Sequence, residues 1–230
     1  MALDNPISRR GLLGAGAGAA AGLVAHRLVG ETSAGPGCGD PTAPQTPGPY
    51  YPSRDRPDED PDLTQVRGRP GRAAGEIHYV HGRVLDEACK PVAGALVEIW
   101  QANSWGRYDH ERDVGNPRPL DPNFQSWAEI LTDKEGGFRF KTIKPGGYPV
   151  DDSGWVRPPH IHFRVSRRGY HELVTQMYFA GEPLNALDRI REALDPEDRD
   201  RVTVAFEPAS ANVEAGARVG RFDITLRQIT

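Results

Sequence analysis

The chain has 230 residues, 37% hydrophobic and 26% charged, with 28 Lys+Arg against 32 Asp+Glu for a net charge of −4. Near-balanced charge argues against a general nucleic-acid-binding surface, and two cysteines, Cys38 and Cys89, exclude a disulfide-dense miniprotein and an all-cysteine zinc site. With 26 glycines and 21 prolines, the composition suits short strands joined by many turns rather than a helical bundle.

Residues 1–35 read as an export signal. Ser8-Arg9-Arg10 precedes an uncharged run from Gly11 to Ala25 that is mostly Gly and Ala. The run is shorter than the ~18 residues a membrane span requires, so no stable span is expected. Small residues follow at Thr32-Ser33-Ala34, which completes the pattern of a secretory address. The paired arginines resemble the twin-arginine type, which implies a periplasmic or extracellular destination and a cofactor inserted before export. An oxidising destination permits a Cys38–Cys89 disulfide, which spacing alone does not decide. Residues 36–75 are rich in Pro, Gly, Asp and Arg and read as an extended arm. Within it, Pro49-Tyr50-Tyr51-Pro52 is an apolar island suited to anchoring on the domain or on a partner subunit.

From residue 76 to 230, short apolar runs alternate with turn signals at sandwich-like spacing. The expected strands are Ile77–Leu85, Ala95–Gln101, Ala128–Thr132, Phe138–Thr142, Ile161–Ser166, Leu173–Phe179, Val202–Phe206 and Arg221–Arg227. Asp133-Lys134-Glu135-Gly136-Gly137 reads as a hairpin turn. Leu187, Ile190 and Leu194 recur at helical spacing, which predicts one helix over Asn185–Leu194 with Asp195-Pro196 as its stop. The expectation is an all-β fold: one antiparallel β-sandwich domain with a long N-terminal arm and one short helix.

The densest chemical constellation is Arg157-Pro158-Pro159-His160-Ile161-His162-Phe163. In a strand, His160 and His162 project from one face, about 6–7 Å apart along the backbone, and can share a metal ion. Alone, H-x-H more often marks a polar strand face. Two tyrosines in Gly- and Pro-rich segments after strands alter that balance: Tyr108 in Trp105-Gly106-Arg107-Tyr108-Asp109, and Tyr148 in Lys144-Pro145-Gly146-Gly147-Tyr148-Pro149. Phenols titrate near ~10 and become phenolates at neutral pH only beside a strong cation. Two hard phenolate oxygens with two imidazoles favour Fe(III) over softer or lower-charged ions.

These residues resemble the intradiol ring-cleavage dioxygenases, closest to the protocatechuate 3,4-dioxygenase beta-chain branch. The resemblance also runs through Leu120-Asp121-Pro122-Asn123-Phe124, Thr142-Ile143-Lys144-Pro145-Gly146, Thr175-Gln176-Met177-Tyr178-Phe179 and Arg221-Phe222-Asp223-Ile224. It implies one Fe(3+) per chain on Tyr108, Tyr148, His160 and His162. It further implies that Tyr148 departs when a catechol-type aromatic binds, that O2 is the second substrate, and that the product is a cis,cis-muconate. Arg157 is then expected to stabilise carbanion character on the ring. Gln176 is expected to support Arg157 or the oxygen pocket, and Tyr178 and Trp105 to support the site and its rim. The resemblance implies a homo-oligomer or a complex with a related alpha-type chain. The pattern departs where Val150-Asp151-Asp152-Ser153 follow Pro149, beside the family's substrate pocket.

Two other readings use the same sequence. Lys90–Ile99 and Thr132–Phe138 also resemble secreted transthyretin-like and adhesin β-sandwich modules, which would lack the two tyrosines and the H-x-H. A zinc hydrolase would need an acidic general base, for which Asp109 is the nearby candidate.

Overall fold

The computed structural model describes residues 39–52, 58–150, 154–210 and 213–230, all within the unit Ala34–Thr230. The expected export signal, residues 1–35, and Cys38 lie outside the described residues.

The fold is built around β1 (Ile77–Asp86), a ten-residue strand whose buried side chains alternate at His78, Val80, Gly82, Val84 and Asp86. One edge of β1 pairs antiparallel with β4 (Gly137–Ile143), in register from Ile77 opposite Ile143 to Arg83 opposite Gly137. The other edge pairs in parallel with two strands in succession, β11 (Arg218–Arg221) and β12 (Ile224–Leu226). The ladder changes strands at Gly82, where a Cβ would stand 1.8 Å from the Phe222 carbonyl oxygen. Only a glycine admits that approach. β10 (Phe206–Pro208) completes this sheet beside β11.

The second sheet has the order β3-β2-β7-β8-β9, formed by Trp127–Leu131, Leu96–Trp100, His160–Ser166, Leu173–Phe179 and Thr203–Val204 respectively. A two-stranded ribbon of β5 (Tyr148–Pro149) and β6 (Val156–Arg157) stands apart from both sheets. The sheets meet through rings: Phe163 of β7 lies 6.2 and 6.0 Å from Phe138 and Phe140 of β4, and 4.9 Å from Phe222. Val80, Val84, Val97, Ile99, Ile161, Val165, Met177 and Ile224 fill the same core. Burying each such side chain contributes roughly 1.5–3 kcal/mol, which makes this interface the main stabilising element.

The expected β-sandwich is present, with corrections to detail. Pairing is not wholly antiparallel, because β1–β11, β1–β12 and β8–β9 run parallel. The predicted Val202–Phe206 and Arg221–Arg227 strands do not survive as single units, each being broken by a turn or a change of partner. The helix expected over Asn185–Leu194 is a 3-10 turn, Pro183–Leu187, followed by a short α1, Arg189–Glu192. Between them Asp188 is extended (φ −80°, ψ 109°) and fully buried. Its carboxylate is drawn inward to Arg157, which outweighs helical continuity. Asp195-Pro196 begins a second helix, α2 (Pro196–Arg201), rather than stopping the first. Proline suits the first helical turn because its missing N–H has no partner there in any case.

Residues before β1 pack closely on the sandwich. Thr42 N–H donates to the Thr225 carbonyl and Gln45 N–H to that of Val174, at 3.0 and 2.8 Å. Tyr51 packs edge-on to Trp100 and Trp127, and its hydroxyl donates to Glu98 at 2.7 Å. The apolar island thus anchors on its own domain. Leu63, fully buried, continues the wrap: its N–H reaches the Lys141 carbonyl, and its carbonyl accepts from Gln125.

Candidate functional site

The segment after β2 carries Tyr108 and is organised by Asn103. Asn103 Oδ1 accepts from the N–H groups of Trp105 and Arg107, both at 3.0 Å, and its backbone carbonyl accepts from Gly106 and Gly146, both at 2.9 Å. Asp113 Oδ2 fixes the Tyr108 N–H at 2.7 Å. Tyr148 arrives from the opposite side as the first residue of β5, paired with Arg157 of β6. In the Gly- and Pro-rich segment before Tyr148, Gly146 is required by contact. A Cβ there would lie 2.5 Å from both the Gly106 nitrogen and the Ser104 carbonyl oxygen. The glycine lets the two tyrosine-bearing segments touch.

His160 and His162 share one face of β7, as their spacing predicts. Their rings converge beyond the backbone spacing, to 4.8 Å between centroids and 3.2 Å between Nε2 atoms. His160 Nδ1 lies 2.7 Å from the Pro158 carbonyl oxygen. A carbonyl only accepts, so Nδ1 carries the proton and the Nε2 lone pair faces inward. His162 is stacked flat on Trp100, with centroids 4.8 Å apart and planes 4° apart, and its buried Nδ1 has no hydrogen-bond partner among the described residues. Tyr108 Oη stands 3.5 Å from His160 Nε2. The Tyr148 ring is 5.5 Å from that of Tyr108 and 5.7 Å from that of His160.

All four side chains are buried, none more than 6% exposed. Burial pushes both phenols above their ordinary range; mutual repulsion adds to this at Tyr108, while Arg157 pulls both the other way. Burial, reinforced by Arg157, pushes both imidazoles well below theirs, so they are neutral with lone pairs available. Two buried phenols and two neutral imidazoles facing one point form a donor set suited to a strong cation. Hard oxygen plus imidazole nitrogen fits ferric iron, and among the described residues no three His, Cys, Asp or Glu side chains gather to hold a metal by themselves.

Arg157 is buried beside this set. Its Nε and Nη2 donate to the two Asp188 oxygens, each at 3.0 Å. Nη2 also donates to Gln176 Oε1 at 2.6 Å and lies 3.3 Å from the Tyr178 hydroxyl. Burial opposes the charge on Arg157, but Tyr148, Tyr178 and Asp188 outweigh it and hold the group above the ordinary arginine value. Gln176 Nε2 donates to the Thr46 carbonyl and the Tyr178 hydroxyl to Gln45 Oε1, which ties the network to the N-terminal segment. Tyr178 also lies 6.1 Å from the His160 ring. Trp105 stands apart, 41% exposed, with its N–H on Asn103 and its carbonyl held by Arg118.

Four participants were not identified from sequence. Tyr50 stacks on Tyr108 at 4.4 Å and lies edge-on to Tyr148 at 5.9 Å; burial and Asp113 push its phenol up to about 12. Asp188 was likewise unmarked because its partner Arg157 lies 31 residues away, and Asn103 and Asp113 because they hold nearby loop N–H groups that no strand or helix period marks. The aromatic island at Tyr50-Tyr51 was the one available signal.

Residues 46–228 match the family model described as Dioxygenase. The protocatechuate 3,4-dioxygenase beta chain of Burkholderia cepacia is 45% identical over 183 residues, 78% of this chain and 76% of that one. The catechol 1,2-dioxygenase of Candida albicans is 35% identical over 141 residues, 56% of this chain and 43% of that protein. The chain therefore spans about three quarters of the first relative and under half of the second. Among solved structures, the dioxygenase domain of a dioxygenase carbohydrate-binding protein fusion from Streptomyces sp. SirexAA-E superposes with a TM-score of 0.60. It is 31% identical, covering 83% of this chain and 100% of that domain. These matches give no support to the transthyretin-like or adhesin reading. The match over most of the chain, on a sandwich presenting two tyrosines, two histidines and a buried arginine, shows that the chain belongs to the intradiol ring-cleaving dioxygenases, a family of oxidoreductases.

Proposed function

We propose that this chain is an Fe(III)-dependent intradiol dioxygenase that cleaves a catechol-type aromatic between its two hydroxyls, inserting both atoms of O2 to give a cis,cis-muconate. The observation that carries the reading is the convergence of Tyr108, Tyr148, His160 and His162 on one buried point. These four residues would hold the iron. When bound, the ferric ion supplies the positive charge that ionises the phenols and withdraws electron density from a chelated catecholate.

The protein residues have separable tasks. Pro158 holds the His160 tautomer through Nδ1, and Trp100 fixes the plane of the His162 ring. Tyr148 Oη, at the start of the short β5, is placed to accept a proton from a catechol hydroxyl. Arg157, clamped by Asp188 and Gln176, presents a fixed cation where the ring gains negative charge. Tyr50, stacked over Tyr108, covers the donors and limits water. Export is carried by Ser8-Arg9-Arg10 and the bland run that follows. Assembly as a homo-oligomer, or with an alpha-type chain, is suggested by the beta-chain relative.

Colour tests the reading. Phenolate-to-ferric charge transfer should make the purified protein red-brown, and Tyr108→Phe should shift or abolish the band. A colourless protein fully loaded with zinc would overturn it.

A further inference from the structure

Resting on that reading, the N-terminal segment fixes the polar network behind the donor set. Gln45 lies against strand β8. Its N–H donates to the Val174 carbonyl at 2.8 Å, and its Nε2 lies 3.1 Å from both the Gln176 carbonyl oxygen and Thr175 Oγ1. A backbone carbonyl only accepts, so the atom facing it is the amide nitrogen. The Thr175 hydroxyl donates its own proton to the Ala43 carbonyl, 2.8 Å away, and so accepts from Gln45 as well. Gln45 Oε1 is thereby turned to the Tyr178 hydroxyl, at 2.9 Å.

The direction of one proton follows. An amide oxygen only accepts, so Tyr178 Oη donates to Gln45 and offers a lone pair to Arg157 Nη2, 3.3 Å away. The same segment orients Gln176. Its Nε2 donates to the Thr46 carbonyl at 2.9 Å, which turns Oε1 to Arg157 at 2.6 Å. Without Gln45, the Tyr178 proton has Gln176 Oε1 at 3.4 Å and the Asp188 carboxylate within reach. Arg157 already holds both, so either choice weakens its clamp.

We propose that Gln45 is a positioning residue for ring cleavage: by accepting the Tyr178 proton it leaves the Gln176 and Asp188 oxygens to Arg157, and so fixes the cation that faces the ring. It acts through Tyr178. Its partners Val174, Thr175, Gln176 and Tyr178 lie on β8 outside the four metal donors, so its loss should leave the ferric band in place.

The test measures kcat and KM for a catechol-type substrate by oxygen uptake in iron-loaded wild type, Gln45→Met, Tyr178→Phe and the double variant. Gln45→Met should lower kcat about fivefold, the worth of one hydrogen bond, with KM changed less than about twofold and the band unmoved. On a Tyr178→Phe background, which has no hydroxyl proton to misdirect, Gln45→Met should change kcat less than about twofold. An equal fall on both backgrounds marks mere anchoring of the segment and overturns the proposal, as does an unchanged kcat in Gln45→Met. Nitrogen-15 NMR of the metal-free, arginine-labelled protein gives a reading independent of turnover. The Arg157 guanidinium signal, identified by its loss in Arg157→Lys, should move in Gln45→Met; an unmoved signal also overturns the role. A wild type that cleaves no catechol-type ring overturns the dioxygenase reading, while the arginine signal still decides whether Gln45 positions Arg157.

Discussion

Asp188→Asn isolates the contribution of the buried ion pair. The Arg157 and Asp188 side chains are 4% and 0% exposed, joined by two bonds of 3.0 Å. An asparagine keeps the shape but offers one acceptor and turns an amide N–H toward a guanidinium N–H. One charge-assisted bond worth about 1.5–3 kcal/mol is lost, and a buried cation is left without its counter-charge. Breaking such a pair from one side costs about 3–5 kcal/mol. Urea unfolding should show that loss, a midpoint shift on the order of 1–2 M at ordinary m-values for a domain of this size. Removing both charges in Arg157→Met/Asp188→Leu should recover much of it, because two apolar groups need no solvation. Recovery stays incomplete because Asp188 also accepts from the Ile190 N–H at 3.3 Å as the cap of α1. A loss below about 1 kcal/mol for Asp188→Asn, or a double variant less stable than the single one, would refute the assignment of this pair as a tightly coupled buried unit.

Gly146→Ala should destabilise the protein by about 2–4 kcal/mol and weaken the visible band, since its Cβ strikes backbone 2.5 Å away on the Tyr108 segment; urea melts and absorption spectra check both. His78 is buried against Phe179 and Phe206, with Glu76, Lys144 and Arg218 around it, and burial holds its imidazole below the ordinary value. The unfolded chain therefore binds this proton first. The contribution is complete above pH ~6.5 and declines as pH falls toward the folded value, so the wild type should lose stability more steeply below ~6.5 than His78→Leu. Parallel pH profiles would remove His78 from the account.

Much of the site could be read from the sequence because its parts are local. His160 and His162 share a strand face through the two-residue period, and Tyr108 and Tyr148 stood out as aromatics in Gly- and Pro-rich segments. The strands were likewise marked by short apolar runs between turn residues. The helix at Asn185–Leu194 was misread because helical periodicity in Leu187, Ile190 and Leu194 competes with the pull of Arg157 on Asp188.

By itself the sequence determined a β-sandwich and brought out two tyrosines and two histidines as candidate donors, since strand period, turn chemistry and motif spacing are properties of neighbouring residues. Tertiary structure alone decided how those donors meet. It brought the Tyr108 and Tyr148 segments into contact at Gly106 and Gly146, laid Tyr50 over Tyr108, and closed the Arg157–Asp188–Gln176 network. Such pairings span tens of residues or more in the chain and are fixed by burial and the demand that buried polar groups find partners, which no local pattern encodes.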